Sequence, residues 1–154
     1  MRSGMTLRYG ENSHQAAALY SNIGDISGTL VGALVEGGKE MSYNNYSDAD
    51  ASLRLCRSLS TDEWPETPHA CVIVKHNNPC GAALGRTQLE AFNAALASDP
   101  ESAFGSIICF NETLHHGLRR CGRQLGRFEH AGVPGDDRRR NLPRGNTNRE
   151  VPRR

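Results

Sequence analysis

The chain has no run of about 18 apolar residues, which excludes a conventional membrane-spanning helix. It has one early arginine, Arg2, but no apolar leader stretch after it, and it therefore reads as soluble and cytoplasmic. It also lacks any C-x-x-C pair. Its five cysteines (Cys56, Cys71, Cys80, Cys109 and Cys121) are odd in number, which argues against a disulfide framework. Cys71 and Cys109 lie in apolar runs and read as small core residues, whereas Cys80 falls in a turn. Hydrophobic residues make up only 37% of the 154 residues, and their scarcity is uneven. Residues 1–114 carry 7 Lys and Arg against 13 Asp and Glu; residues 115–154 carry 11 Arg against 4 acids. The net charge of +1 thus conceals a slightly acidic globular part and an arginine-rich tail. From His115 onward no apolar periodicity survives, Gly and Pro recur, and disorder is the expectation.

What the chain does have is organised around Ala70–Gly81. Ala70-Cys71-Val72-Ile73-Val74 is an unbroken apolar run, the pattern of a strand covered on both faces. Lys75-His76 follows, and then the turn-forming cluster Asn77-Asn78-Pro79 with Gly81. A cation and an imidazole are therefore expected where a buried strand surfaces, the position at which open α/β sheets bind ligands. Side by side they suit charge stabilisation and general acid/base work. A polar loop start is the alternative reading of the same two residues.

Upstream, Arg8, Tyr9, Asn12, His14 and Gln15 crowd hydrogen-bonding side chains around Gly10. Arg8 can pair with phosphate or carboxylate, or simply belong to a solvated loop. Ser47-Asp48-Ala49-Asp50 has capping-box spacing and predicts a helix from there to about Ser60, with Ala49, Leu53, Cys56 and Leu59 on its buried face. Thr87-Gln88-Leu89-Glu90 predicts a second helix with a core stripe of Leu89, Phe92 and Leu96, ended by Asp99-Pro100. Ile107–Phe110 reads as another short strand. Strand, helix and strand together predict a βαβ unit with parallel strands, and Gly105, just before the second strand, offers a ligand the bare backbone.

Four blocks in this order resemble one family: Leu7–Gln15, Lys39–Asn45, Val74–Gly81, and Ser98–Pro100 with Ser102–Gly105. They are similar to the start of the transformylase part of the bifunctional purine biosynthesis family, AICAR transformylase/IMP cyclohydrolase, over about Leu7 to Leu114. The resemblance implies a cytidine-deaminase-like α/β fold for residues 1–114, followed by a non-family tail at 115–154. It implies formyl transfer from the cosubstrate 10-formyltetrahydrofolate to AICAR ribotide on the route to IMP (phosphoribosylaminoimidazolecarboxamide formyltransferase activity) and a homodimer in the complete protein. By motif it makes His76 the proton acceptor, Lys75 the transition-state stabiliser, and Arg8, Tyr9 and Gly105 contacts to AICAR, with Asn12, His14, Asn77 and Asn78 around them. Ser13 stands where the family usually has Pro. The cyclohydrolase domain would precede these residues, folate contacts would follow them, and the tail has the composition of an out-of-frame reading of a GC-rich gene.

Other classes have weaker support. The arginines could neutralise nucleic-acid phosphates, but there is no pattern of interleaved aromatics, Phe128 being the one aromatic among them, and no binding motif is recognisable. His76-x3-Cys80 and His116-x4-Cys121 have ligand-like spacing. The zinc deaminase signature is not met, however, because Asn78 stands where its Glu belongs and Ala83 where its last Cys belongs, so no metal is expected. A non-catalytic fragment is the remaining alternative.

Overall fold

A computed structural model of the chain describes residues 4–21, 29–31, 40–59, 62–114 and 130–132. The elements are β1 (Gly4–Thr6), β2 (Ala18–Tyr20), α1 (Tyr43–Ser58), β3 (His69–Lys75), β4 (Asn78–Gly85), α2 (Gln88–Ser98), β5 (Ile107–Phe110) and β6 (His130–Gly132). The architecture is mixed α/β: β1 and β2 form a small antiparallel pair, and the main sheet has the order β4-β3-β5-β6.

The apolar run is a strand covered on both faces, as its sequence predicts. Ala70 through Val74 are buried, and the two-residue alternation of a strand sends them to different layers. Cys71 and Ile73 pack with Ala91, Phe92 and Ala95 of α2 and with Ile108 and Phe110 of β5. Ala70, Val72 and Val74 pack with Leu53 and Cys56 of α1 and with Cys109. Full burial of each Val or Ile contributes about 1.5–3 kcal/mol, so this strand anchors both layers. Burial also pushes the Cys71 and Cys109 thiols up from their ordinary values, although for Cys109 the contact with Cys56 is the larger cause.

The parallel βαβ expectation is overturned. Asn78–Gly85 is itself a strand, β4, antiparallel to β3, and β5 is also antiparallel to β3. The intervening β4 reverses the chain before α2 begins, so the strands that α2 joins are β4 and β5, which flank β3 and run parallel to each other. Composition hid β4 because Asn, Pro and Gly mark turns; here Pro79 is tolerated on an edge strand beside a bulge. Gly81 lets α2 lie close on β4, since a Cβ there would stand 2.0 Å from the Ala95 carbonyl oxygen.

Both helix readings need adjustment. α1 starts at Tyr43, not near Ser47, because Ser42 is the N-cap: its hydroxyl accepts from the Asn45 amide, and the Asn45 side chain accepts from the Ser42 amide. Asn replaces the usual Glu or Gln in this box, which concealed it. Ala49, Leu53 and Cys56 are buried as expected, whereas Leu59 is the half-buried C-cap. α2 starts where Thr87 predicts, with the Thr87 hydroxyl accepting from the Glu90 amide. Its buried residues are Gln88, Ala91, Phe92 and Ala95. Leu89 is 44% exposed and not in the core stripe, since it lies about 140° around the helix from the line fixed by Ala91 and Ala95.

The tail expectation is also partly overturned. His130–Gly132 forms β6, parallel to β5, within the segment expected to be disordered. Cys121, His116, Lys39 and Arg138-Arg139-Arg140 lie outside the described residues. Among the described residues no helix is long and apolar enough to cross a membrane.

Candidate functional site

The antiparallel register determines what meets at the end of β3. Val74 pairs with Ile107, so the residue after Val74 faces the residues before β5. Lys75 Nζ donates to the Phe104 carbonyl oxygen at 2.9 Å. Gly105 follows with φ +73°, a left-handed conformation, and no atom lies within 4 Å of where its Cβ would be. Both features suit glycine, because this backbone presents itself to open space. Parallel pairing, as first expected, would have put Gly105 at the opposite end of the sheet. Phe104 is 67% exposed beside them.

His76 and Asn77 form the two-residue connection between β3 and β4, with Lys75 paired to Asn78 across it. Their φ angles are +53° and +62°, the type I′ pattern that matches strand twist and favours Asn and Gly. A histidine in this region costs about 1–2 kcal/mol, which its surroundings must offset. The Asn77 amide donates to Asp48 Oδ1 at 2.7 Å, and Ser47 Oγ donates to Asn77 Oδ1 at 2.8 Å. Asn78 Nδ2 donates to the His76 carbonyl oxygen at 2.9 Å. The His76 side chain is exposed and, among the described residues, its imidazole has no hydrogen-bond partner. Lys75 forms no ion pair among the described residues, although it acts electrostatically on the Asp99 carboxylate.

Arg8 and Tyr9 reach the same end of α1. The Arg8 amide donates to the Met41 carbonyl, and the Tyr43 amide donates to the Tyr9 carbonyl at 3.0 Å. Arg8 Nη2 donates to the Tyr9 hydroxyl at 2.8 Å, with the guanidinium 4.6 Å from the ring centroid. Stacking and hydrogen bond together hold the fork in place without consuming all five donors. Tyr43 and Ser47 are one helical turn apart, about 6 Å along the axis. The two N-terminal sequence blocks and the His76-Asn77 turn are thus attached to consecutive turns of one helix.

Among the described residues no hydrogen bond joins Asn12 or His14 to Lys75 or His76. Asn12 closes a local turn, its amide donating to Gln15 Oε1 and its carbonyl accepting from the Gln15 amide, and His14 is exposed. Asn44 Nδ2 ties this turn to α1 through the Glu11 carbonyl. Sequence reasoning missed Ser47 and Asp48 as site residues by assigning them to a helix cap; their spacing from the true cap, Ser42, was the signal. The Cys80 thiol is half-buried at the bulge in β4, and burial pushes it up from its ordinary value. Among the described residues, no three of His, Cys, Asp and Glu gather as a metal would require.

The third and fourth sequence blocks thus come together as a buried strand that delivers a lysine and a histidine to a turn, beside a glycine with exposed backbone. The sequence model of the AICARFT/IMPCHase bienzyme family matches residues 1–121, and the chain belongs to that family. It is 47% identical over 136 residues to the bifunctional purine biosynthesis protein PurH of Rhodopirellula baltica, covering 88% of this chain and 25% of that protein. It is 51% identical over 108 residues to the PurH of Desulfitobacterium hafniense and 49% over 105 residues to that of Polynucleobacter necessarius, covering 70% and 68% of this chain and 19% and 20% of those proteins. The chain therefore spans about a fifth to a quarter of the length of these relatives. The likeness also runs past Leu114, to residue 121 in the family match, and a match of 136 residues cannot end at Leu114.

Proposed function

We propose that this chain carries the first part of an AICAR transformylase site, which moves a formyl group from 10-formyltetrahydrofolate to the 5-amino group of AICAR ribotide in IMP biosynthesis. The observation that carries the reading is the Lys75 ammonium, bound to the Phe104 carbonyl beside Gly105, next to His76 on a pinned turn. The amino group of AICAR is conjugated and weakly nucleophilic. As its nitrogen attacks the formyl carbon, the His76 imidazole accepts the proton released from that nitrogen. The formyl oxygen gains negative charge, which the unpaired Lys75 ammonium stabilises. When the carbonyl re-forms, the bond to the folate nitrogen breaks and that nitrogen takes up a proton. Arg8, its fork braced by Tyr9, suits the ribotide phosphate, and Gly105 lets AICAR approach the backbone.

The fold that accompanies this proposal is a fragment of a cytidine-deaminase-like α/β domain, working in the cytoplasm as a homodimer in the complete protein. A second reading starts from the length of the chain, a fifth to a quarter of that of its relatives. On that reading it binds AICAR ribotide but turns it over poorly. Titrating the 154-residue chain with AICAR ribotide, and separately assaying formyl transfer, distinguishes the two. Saturable binding through Arg8 with little turnover supports the binding fragment, and no binding at all sinks the functional reading.

A further inference from the structure

We infer that Ser47 and Asp48 of α1, together with Asn78, are positioning residues that lock the His76–Asn77 peptide unit and so aim the His76 imidazole. The inference rests on the proposed role of His76. The peptide unit between residues 76 and 77 has two polar atoms, and both are held: its N–H by Asp48 Oδ1 and its C=O by Asn78 Nδ2. A flip of that peptide would break both bonds together. The Ser47 hydroxyl holds the Asn77 side chain from the neighbouring helical position.

Asp48 donates no proton here; it accepts from a backbone amide, a charge-assisted bond at 2.7 Å. α1 is itself fixed by the Ser42–Asn45 box and by the Tyr43 bond to Tyr9. The left-handed turn is therefore referenced to the same helix end that carries Arg8 and Tyr9. On the other side, Lys75 is referenced to β5 through Phe104. His76 lies between two neighbours tied to different elements, while its own ring stays free of partners among the described residues. A proton acceptor needs this combination, because its ring must be oriented yet uncommitted.

The test is nuclear magnetic resonance on the 154-residue chain and three variants. A strong intraresidue amide-to-Hα cross-peak is the signature of positive φ, and it is expected at His76 and Asn77. In Asp48→Ala both signatures weaken, and Asn77 amide exchange accelerates by about tenfold or more while β5 and α2 amides stay protected. AICAR ribotide shifts the His76 imidazole resonances in the parent chain, and that shift is lost in Asp48→Ala. Asp48→Asn keeps an oxygen acceptor and restores both readouts. If Asp48→Ala does not fold, Ser47→Ala decides, with weakening of the Asn77 signature expected. Retention of both positive-φ signatures in Asp48→Ala, or an unaltered Asn77 signature in Ser47→Ala, overturns the inference, as does loss of the signatures with the imidazole shift unchanged. If AICAR ribotide shifts no His76 resonance in the parent chain, the functional reading fails, and the backbone signatures still decide whether the lock exists.

Discussion

Lys75 Nζ and the Phe104 carbonyl oxygen, 29 residues apart in sequence, are joined at 2.9 Å. This bond fixes a long, rotamer-rich side chain whose freedom would otherwise cost about 1.5–2 kcal/mol to restrict at each encounter with substrate. It leaves the positive charge intact, since a carbonyl shares charge without cancelling it.

In a complete protein carrying this segment, His76→Ala and Lys75→Ala are each expected to lower formyl transfer by about two orders of magnitude or more, with less effect on AICAR binding. Arg8→Ala is expected to act mainly on binding. Steady-state kinetics with both substrates varied separates these outcomes. Near-wild-type turnover in His76→Ala removes it as the base.

Gly105→Ala tests the bare backbone. The new methyl meets nothing within 4 Å, so packing is unaffected, but φ +73° is costly for alanine. A stability loss of about 1–2 kcal/mol is expected in denaturant titrations. Binding of AICAR ribotide should weaken by more than this predicts, because the methyl occupies the open space. Unchanged affinity counts against Gly105 as a contact.

Gly81→Ala is expected to do the opposite: large structural damage without touching the ligand. Its Cβ would stand 2.0 Å from a backbone oxygen of α2, which no rotamer change relieves. The helix must move off β4, at a cost of about 1–3 kcal/mol or more. Urea melts read this as a fall in midpoint, and an unshifted midpoint shows that α2 has room to retreat.

Acid sensitivity should be traceable to Asp99, the C-cap of α2. The Ser102 hydroxyl, foremost, and then its amide hold this carboxyl below its ordinary value of 3.8. A depressed folded value means that the stabilisation is fully present above the unfolded value and is lost as pH falls through the folded one. Ser102→Ala should move the Asp99 titration, followed by carboxyl carbon resonances, upward toward 3.8. An unmoved midpoint refutes the assignment.

Truncation after Leu114 should raise aggregation. β5 lies between β3 and β6, and removing His130–Gly132 bares the backbone edge of the apolar Ile107–Phe110. Light scattering of the full and truncated chains checks this. Equal scattering means that β6 does not protect the edge in solution.

Local chemistry made part of this protein legible from sequence. Five consecutive apolar residues at Ala70–Val74 dictate a strand buried on both faces, whatever surrounds it. Thr87 and Glu90 mark a helix start through hydrogen bonds that span only three or four residues. The four blocks specify the family because side-chain identity is a property of sequence. Strand direction and helix phase depend on distant partners and were decided by the tertiary structure. The Asn78–Gly85 strand exists because β3 offers it a paired edge, and its small residues carry no strand signal of their own. Leu89 is exposed because contacts of Ala91 and Ala95 with the sheet fix the rotation of α2. Lys75 meets Phe104 because β5 runs antiparallel to β3, and Asp48 reaches Asn77 because α1 is capped at Ser42 and begins at Tyr43. Those long-range pairings follow from close packing between layers, which no window of sequence contains.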